Sequence, residues 1–190
     1  MGYDLRINEP FDKLIAILAF TFRSAHLRIF RSDESKFEPA NLMRKNILIV
    51  DDDASVRKSL CKVLRETDYK VMEAADVAEA VQWFETGQVD LLLLDIGLPV
   101  RSGWDVFERI TNQAPAIPII IVTGKANQFD LAVAAGVGAL MEKPLDAAEL
   151  LKTIQELLAE SPATRLRRLC GYLHDTRFLP SQSRGNQPRV

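Results

Sequence analysis

From residue 47 to residue 158 the chain alternates between two hydrophobic periods, and this alternation restricts the fold more than any other feature. Short β-rich runs stand at ILIV (47–50), YKVME (69–73), DLLLL (90–94), PIIIV (118–122) and ALME (139–142). Among them, Val56, Leu60, Val63 and Leu64 recur at helical spacing, as do Val77, Ala80, Val81 and Phe84, and later Leu150, Ile154, Leu157 and Leu158. Asp76 and Asp146 sit where helix N-caps belong, and Asp146 has Glu149 three residues on, as in a capping box. Strands separated by helices make parallel pairs, because a parallel neighbour requires a long crossover. The expected fold class is therefore α/β: a five-stranded parallel sheet, doubly wound as (βα)5. The strands are nearly continuous apolar runs, as suits strands covered on both faces.

DLLLL runs straight into a carboxylate, Asp95, and the chain is then turned by Gly97 and Pro99. In open parallel sheets, ligands sit beyond the carboxyl ends of the strands. Asp51, Asp52 and Asp53 stand there after the first strand, and Asp95 after the third. Thr123 follows the fourth, and Lys143, with Pro144 behind it, follows the fifth. Contact with water accounts for any one of these residues. It accounts poorly for the whole set.

Clustered carboxylates repel one another by about 3 kcal/mol at about 5 Å and an effective dielectric of about 20. Such a site holds a proton or binds a cation. Mg2+ prefers oxygen ligands and takes one or two carboxylates while keeping several waters. Asp51, Asp52 and Asp95, with the backbone carbonyl of Gly97, form a suitable donor set. A carboxylate next to such an ion can act as the nucleophile toward a phosphoryl group, giving an aspartyl phosphate. Lys143 is placed to pair with phosphate oxygens, and Thr123 to donate its hydroxyl to one of them.

The pattern ILIVDDD, then LLLLDIGLP with Gly103 following, then IIIVTG, then EKP resembles the receiver domain of bacterial two-component response regulators. The resemblance covers about residues 45–160, with each landmark in order. It implies the flavodoxin-like strand order 2-1-3-4-5. It also implies that Asp95 is the phosphoacceptor and that Asp51 and Asp52 are the acidic pair binding Mg2+. Thr123 and Lys143 would be the switch hydroxyl and the phosphate-pairing lysine. Family members receive the phosphoryl group from a sensor histidine kinase, a phosphotransfer protein or a small acyl phosphate. They are signalling domains rather than enzymes, limited to their own phosphorylation and dephosphorylation. Two positions depart from the pattern. The family usually carries an aromatic residue three before the lysine, where this chain has Leu140. Lys125, two beyond Thr123, stands beside the path that hydrolytic water takes in the family.

Two other classes stay open at this point. DDDAS (51–55) also matches haloacid-dehalogenase-like phosphatases, in which Asp51 would be the nucleophile and Thr123 and Lys143 its helpers. That family needs a further acidic pair at a strand end after the lysine, whereas 144–160 reads as a helix, and the chain has little room for a cap. The second class is a pseudo-receiver that binds partners without being phosphorylated, against which the retained acidic and basic set weighs. Flavin binding is discarded, since DDDASVRK would repel a phosphate unless a metal intervened.

The 190 residues suffice for one domain with flanking sequence. Cys61 and Cys170 offer no disulfide framework. The longest apolar run near the N-terminus, LIAILAF (14–20), is far short of the roughly 18 residues of a membrane span. A cytoplasmic protein is expected. The net charge of -2 conceals segregation: residues 46–160 carry 10 basic and 19 acidic residues, and residues 161–190 carry six Arg and one Asp. An acidic middle argues against a nucleic-acid-binding core. Residues 1–42 are expected to form an extension, with Phe11, Leu14, Ile15, Leu18 and Phe22 on one helical face and RSDESKFEPAN (31–41) as a linker. A start at Met43 is the alternative. Residues 43–160 form the receiver, and 161–190 a basic tail too short for a DNA-binding output domain. Within that tail RLRRL reads as the solvated end of a helix, and a short helix is expected within 163–179. The expected partners are a kinase or phosphotransfer protein and an unidentified downstream protein, with a phosphorylation-dependent homodimer as a further option.

Overall fold

The computed structural model of this chain describes residues 44–99 and 102–181. The expectations for residues 1–42 and Met43, and for the last part of the basic tail, lie outside them. Six strands form one parallel sheet: β1 (Asn46–Val50), β2 (Lys70–Ala74), β3 (Leu91–Asp95), β4 (Ile119–Thr123), β5 (Ala139–Glu142) and β6 (Arg177–Leu179). Their order is β2-β1-β3-β4-β5-β6. The five expected strands thus take the order 2-1-3-4-5, and a sixth is added beside the fifth.

The helices are α1 (Ala54–Arg65), α2 (Val77–Glu85), α3 (Gly103–Gln113), α4 (Phe129–Ala134), α5 (Ala147–Ala159) and α6 (Pro162–Leu169). The expected caps are in place: Asp76 accepts the Glu79 N–H and Asp146 accepts the Glu149 N–H, both at 2.9 Å. Asp53 caps α1 in the same manner, accepting from Ser55 at 2.7 Å.

Alternation along the strands divides the core into two layers. Leu48, Val50, Leu92 and Leu94 face α2, α3 and α4 through Ala80, Val106, Ile110 and Ala132. Ile47, Ile49, Leu91 and Leu93 face α1 and α5 through Leu60, Leu64, Ile154 and Leu157. The four leucines of β3 are at most 1% exposed. Each contributes about 1.5–3 kcal/mol by burial, so this strand anchors both layers. Gly103 lets α3 start close against the end of β3, since a Cβ there would lie 2.3 Å from the Asp95 carbonyl oxygen.

The segment after α5 departs from its sequence reading. α5 ends at Ala159, and Ser161 caps α6, accepting the Thr164 N–H. RLRRL is not a solvated helix end: Arg168 is 2% exposed, held by Glu160 at 2.9 Å and Asp175 at 2.6 Å. Arg165 donates to the carbonyls of Ala116, Leu157 and Glu160. Arg165 and Arg168 therefore act as charge-assisted ties, while Arg167 is exposed. Gly136, at φ +70°, admits this packing, because a Cβ there would lie 2.5 Å from the Leu169 Cα. The chain then turns at Gly171, and Thr176 Oγ1 donates to the Val137 carbonyl while Arg177 N donates to that of Gly138. Those bonds deliver residues 177–179 to the edge of β5, whose backbone groups would otherwise be unpaired. The expected helix is thus confined to residues 162–169, and RFL becomes a strand.

Candidate functional site

The carboxyl ends of β1, β3, β4 and β5 lie side by side, so the sheet itself gathers the sequence-selected residues at one edge. Asp51 follows β1, Asp95 ends β3, Thr123 ends β4 and Lys143 follows β5. Asp51, Asp52 and Asp95 each offer a carboxylate oxygen within 4.8 Å of the others'. Asp51 and Asp95 are buried, whereas Asp52 is exposed.

The two buried carboxylates are held alike. Asp51 Oδ1 accepts the Asp53 N–H at 2.9 Å, and Asp95 Oδ1 accepts the Gly97 N–H at 2.6 Å. The other oxygen of each accepts from Lys143 Nζ, at 2.6 Å in both cases. One ammonium therefore bridges two strand ends and offsets part of their repulsion. Burial alone would lower the lysine pKa. The two carboxylates outweigh that effect, and the pKa of Lys143 lies above its ordinary value. Pro144 follows through a cis peptide bond.

The third carboxylate of DDD does different work. Asp53 is spent on the α1 cap, and the backbone N–H groups of Ser55 and Val56 hold its pKa below the usual value. Thr123 is buried next to the cluster, but its hydroxyl accepts the Lys125 N–H at 2.9 Å. It is thus engaged with the β4–α4 loop. Gly97 is tied to Asp95 through its N–H. The Lys125 side chain is exposed. Leu140 is 1% exposed and packs as a core residue of β5.

Arg57 is the residue the sequence reading passed over. It donates from one guanidinium nitrogen to the carbonyls of Asp51, at 2.7 Å, and Asp52, at 3.1 Å. A cation in the first turn of a helix opposes the helix dipole. Its position after an acidic pair is therefore the signal that pointed to a local duty. Here it fixes the backbone from which the two carboxylates project.

The donor set matches hard-cation chemistry: three carboxylates converge, one of them open to solvent. The profile of the response regulator receiver domain matches residues 47–155. The chain belongs to this family. Among relatives, the receiver is 34% identical over 125 residues to the transcriptional regulatory protein DltR of Streptococcus agalactiae, covering 65% of this chain and 56% of that one. It is 34% identical over 121 residues to the alkaline phosphatase synthesis transcriptional regulatory protein PhoP of Bacillus subtilis, covering 63% and 50%. The chain thus spans about half the length of these curated relatives. A CheY-like receiver domain from Methanospirillum hungatei superposes with a TM-score of 0.58 at 34% identity, covering 60% of this chain and 94% of that one. Response regulator TrrA of Thermotoga maritima, solved in complex with Mg2+-BeF, gives 0.56 at 29% identity, covering 60% and 98%. These likenesses do not favour the phosphatase or pseudo-receiver readings. Among the described residues no helix is long and apolar enough to cross a membrane.

Proposed function

We propose that this receiver is a phosphoacceptor switch in which Asp95 takes a phosphoryl group from a sensor histidine kinase, a phosphotransfer protein or a small acyl phosphate. The observation that carries this reading is Lys143 Nζ, 2.6 Å from both Asp51 and Asp95 within the acidic cluster. Asp51, Asp52 and Asp95, with the Gly97 carbonyl, would hold Mg2+, which when bound would neutralise charge on the phosphoryl oxygens. Asp95 supplies the attacking oxygen. Its new bond to phosphorus forms as the bond from phosphorus to the donor nitrogen or acyl oxygen breaks, and the electron pair leaves with the donor. Asp51 and the Gly97 N–H keep the Asp95 carboxylate and Lys143 in place. Once the charge moves outward, Lys143 is free to exchange a carboxylate for a phosphoryl oxygen. Thr123 can turn its hydroxyl from Lys125 to the same group.

In this reading residues 43–160 are the receiver, and its output is a protein contact made in the cytoplasm. Incubation with acetyl phosphate and Mg2+ should add one phosphoryl group by intact mass, and Asp95→Asn should prevent it. An unmodified mass in the parent protein, or a modified one in Asp95→Asn, would refute the assignment.

A further inference from the structure

The sixth strand gives this receiver a feature that its phosphoacceptor chemistry does not require. β6 runs along β5 with Phe178 in register with Leu140, the position at which the family usually carries an aromatic ring. Phe178 is partly buried against the core layer that contains Leu140, Val137 and Ala132. Its ring also meets the Phe129 ring at a centroid distance of 5.0 Å. Phe129 is the first residue of α4 and follows Thr123 after five loop residues.

That loop is lightly held. Gln128, at the N-cap position of α4, makes no side-chain capping bond, and its amide donates to the Ala126 carbonyl instead. Asn127 lies at φ +59°, a conformation that an Asn accepts more readily than most side chains. The bond from Lys125 N to Thr123 Oγ1 ties the loop to β4. Aromatic contact with Phe178 ties its far end to β6. Turning the Thr123 hydroxyl toward a phosphoryl group removes the first tie, and the strain falls on the second.

β6 is tied on both sides. Before it, α6 is fixed by the buried Arg168 with Glu160 and Asp175, and Arg177 pairs with Glu156 and Glu160. After it, Ser181 N reaches Glu142 Oε2 at 3.4 Å, beside Lys143. Three residues of ladder lie between. Phe178 lies between these arginine ties and the end nearer the phosphorylation site.

We infer that β6 is the element through which this chain reads out phosphorylation, with the Phe129–Phe178 contact as the coupling joint: phosphorylation loosens residues 178–181 while α6 stays docked. The inference rests on the assignment of Asp95 as phosphoacceptor. Phe129 and Phe178 are positioning residues, since neither touches the acidic cluster through any described contact. Two sites coupled in this way typically influence each other by about 5–150-fold.

The test is hydrogen exchange read by mass spectrometry on the full chain, before and after acetyl phosphate and Mg2+, with intact mass recorded on the same samples. In the phosphorylated protein, peptides spanning 177–181 should exchange at least about fivefold faster. Peptides spanning 162–170 should be unchanged. Phe129→Leu should still gain a phosphoryl group but lose the response at 177–181, and Phe129→Tyr should restore it. A phosphorylated parent protein with unaltered exchange at 177–181, or an undiminished response in Phe129→Leu, would overturn the inference and leave Asp95 as phosphoacceptor. Failure to gain mass would instead remove the assignment on which it stands.

Discussion

Lys143 Nζ stands 2.6 Å from Asp95 Oδ2, across two strand ends separated by 48 positions in the chain. The same nitrogen holds Asp51 at an equal distance, so one ammonium balances part of the charge of both carboxylates. Lys143→Ala should still be phosphorylated at Asp95 by acetyl phosphate and Mg2+, because the proposed nucleophile and cation ligands remain. The rate should fall by no more than about 10²–10³-fold, the typical cost of one lost charge-stabilising donor. The conformational response to phosphorylation should be lost. Intact mass against time measures the first effect, and hydrogen exchange with and without phosphorylation measures the second.

Arg57 holds the carbonyls of Asp51 and Asp52 without touching their carboxylates in any described contact. Arg57→Ala should therefore weaken Mg2+ binding by about 10–100-fold, as loss of an outer-shell partner does elsewhere. Arg57→Lys should recover part of it. Titration calorimetry with Mg2+ measures the affinities, and an unchanged thermal midpoint in Arg57→Lys separates positioning from folding.

Arg168 is 2% exposed, and its removal leaves Glu160, at 11% exposure, with less compensation. Glu160 keeps Arg177 at 2.9 Å. The cost of Arg168→Ala should thus sit at the low end for a broken buried pair, about 3 kcal/mol. A lower urea midpoint at unchanged slope would show it.

Asp175 gives that same tie a pH dependence. The hydrogen bond from Arg168 holds its carboxyl below the ordinary value of 3.8, against a smaller opposing effect of burial. A carboxyl lowered in the fold adds stability that is complete above its unfolded value and is lost as pH falls through its folded value. Docking of α6 and β6 should therefore weaken below about pH 3.8. Asp175→Asn should flatten that part of the profile, read as the urea midpoint between neutral and acid pH.

The five core strands were legible because β1, β3 and β4 are nearly continuous apolar runs and β2 and β5 short β-rich ones, and Asp76 and Asp146 announced two helix starts. The acidic and basic strand ends were legible because parallel topology sends all of them to one edge. β6 was not. Three residues, RFL, are too few for a periodic signal, and what makes them a strand is the open edge of β5. Arg168 misled for a related reason: its partners are Glu160, eight residues before, and Asp175, seven after. Composition shows only a run of arginines there. Arg57 was readable in principle, as a cation placed against a helix dipole. Thr123 was correctly placed at the strand end, but its bond to Lys125 depends on the path of a loop that no sequence pattern fixes.

The most direct measurement of the central claim is a crystal structure of this chain with Mg2+ and beryllofluoride. The account predicts beryllium bonded to a carboxylate oxygen of Asp95, a metal among Asp51, Asp52 and Asp95, and Lys143 turned to a fluorine. An adduct on Asp51, or none at Asp95 under conditions in which the metal is bound, would contradict it.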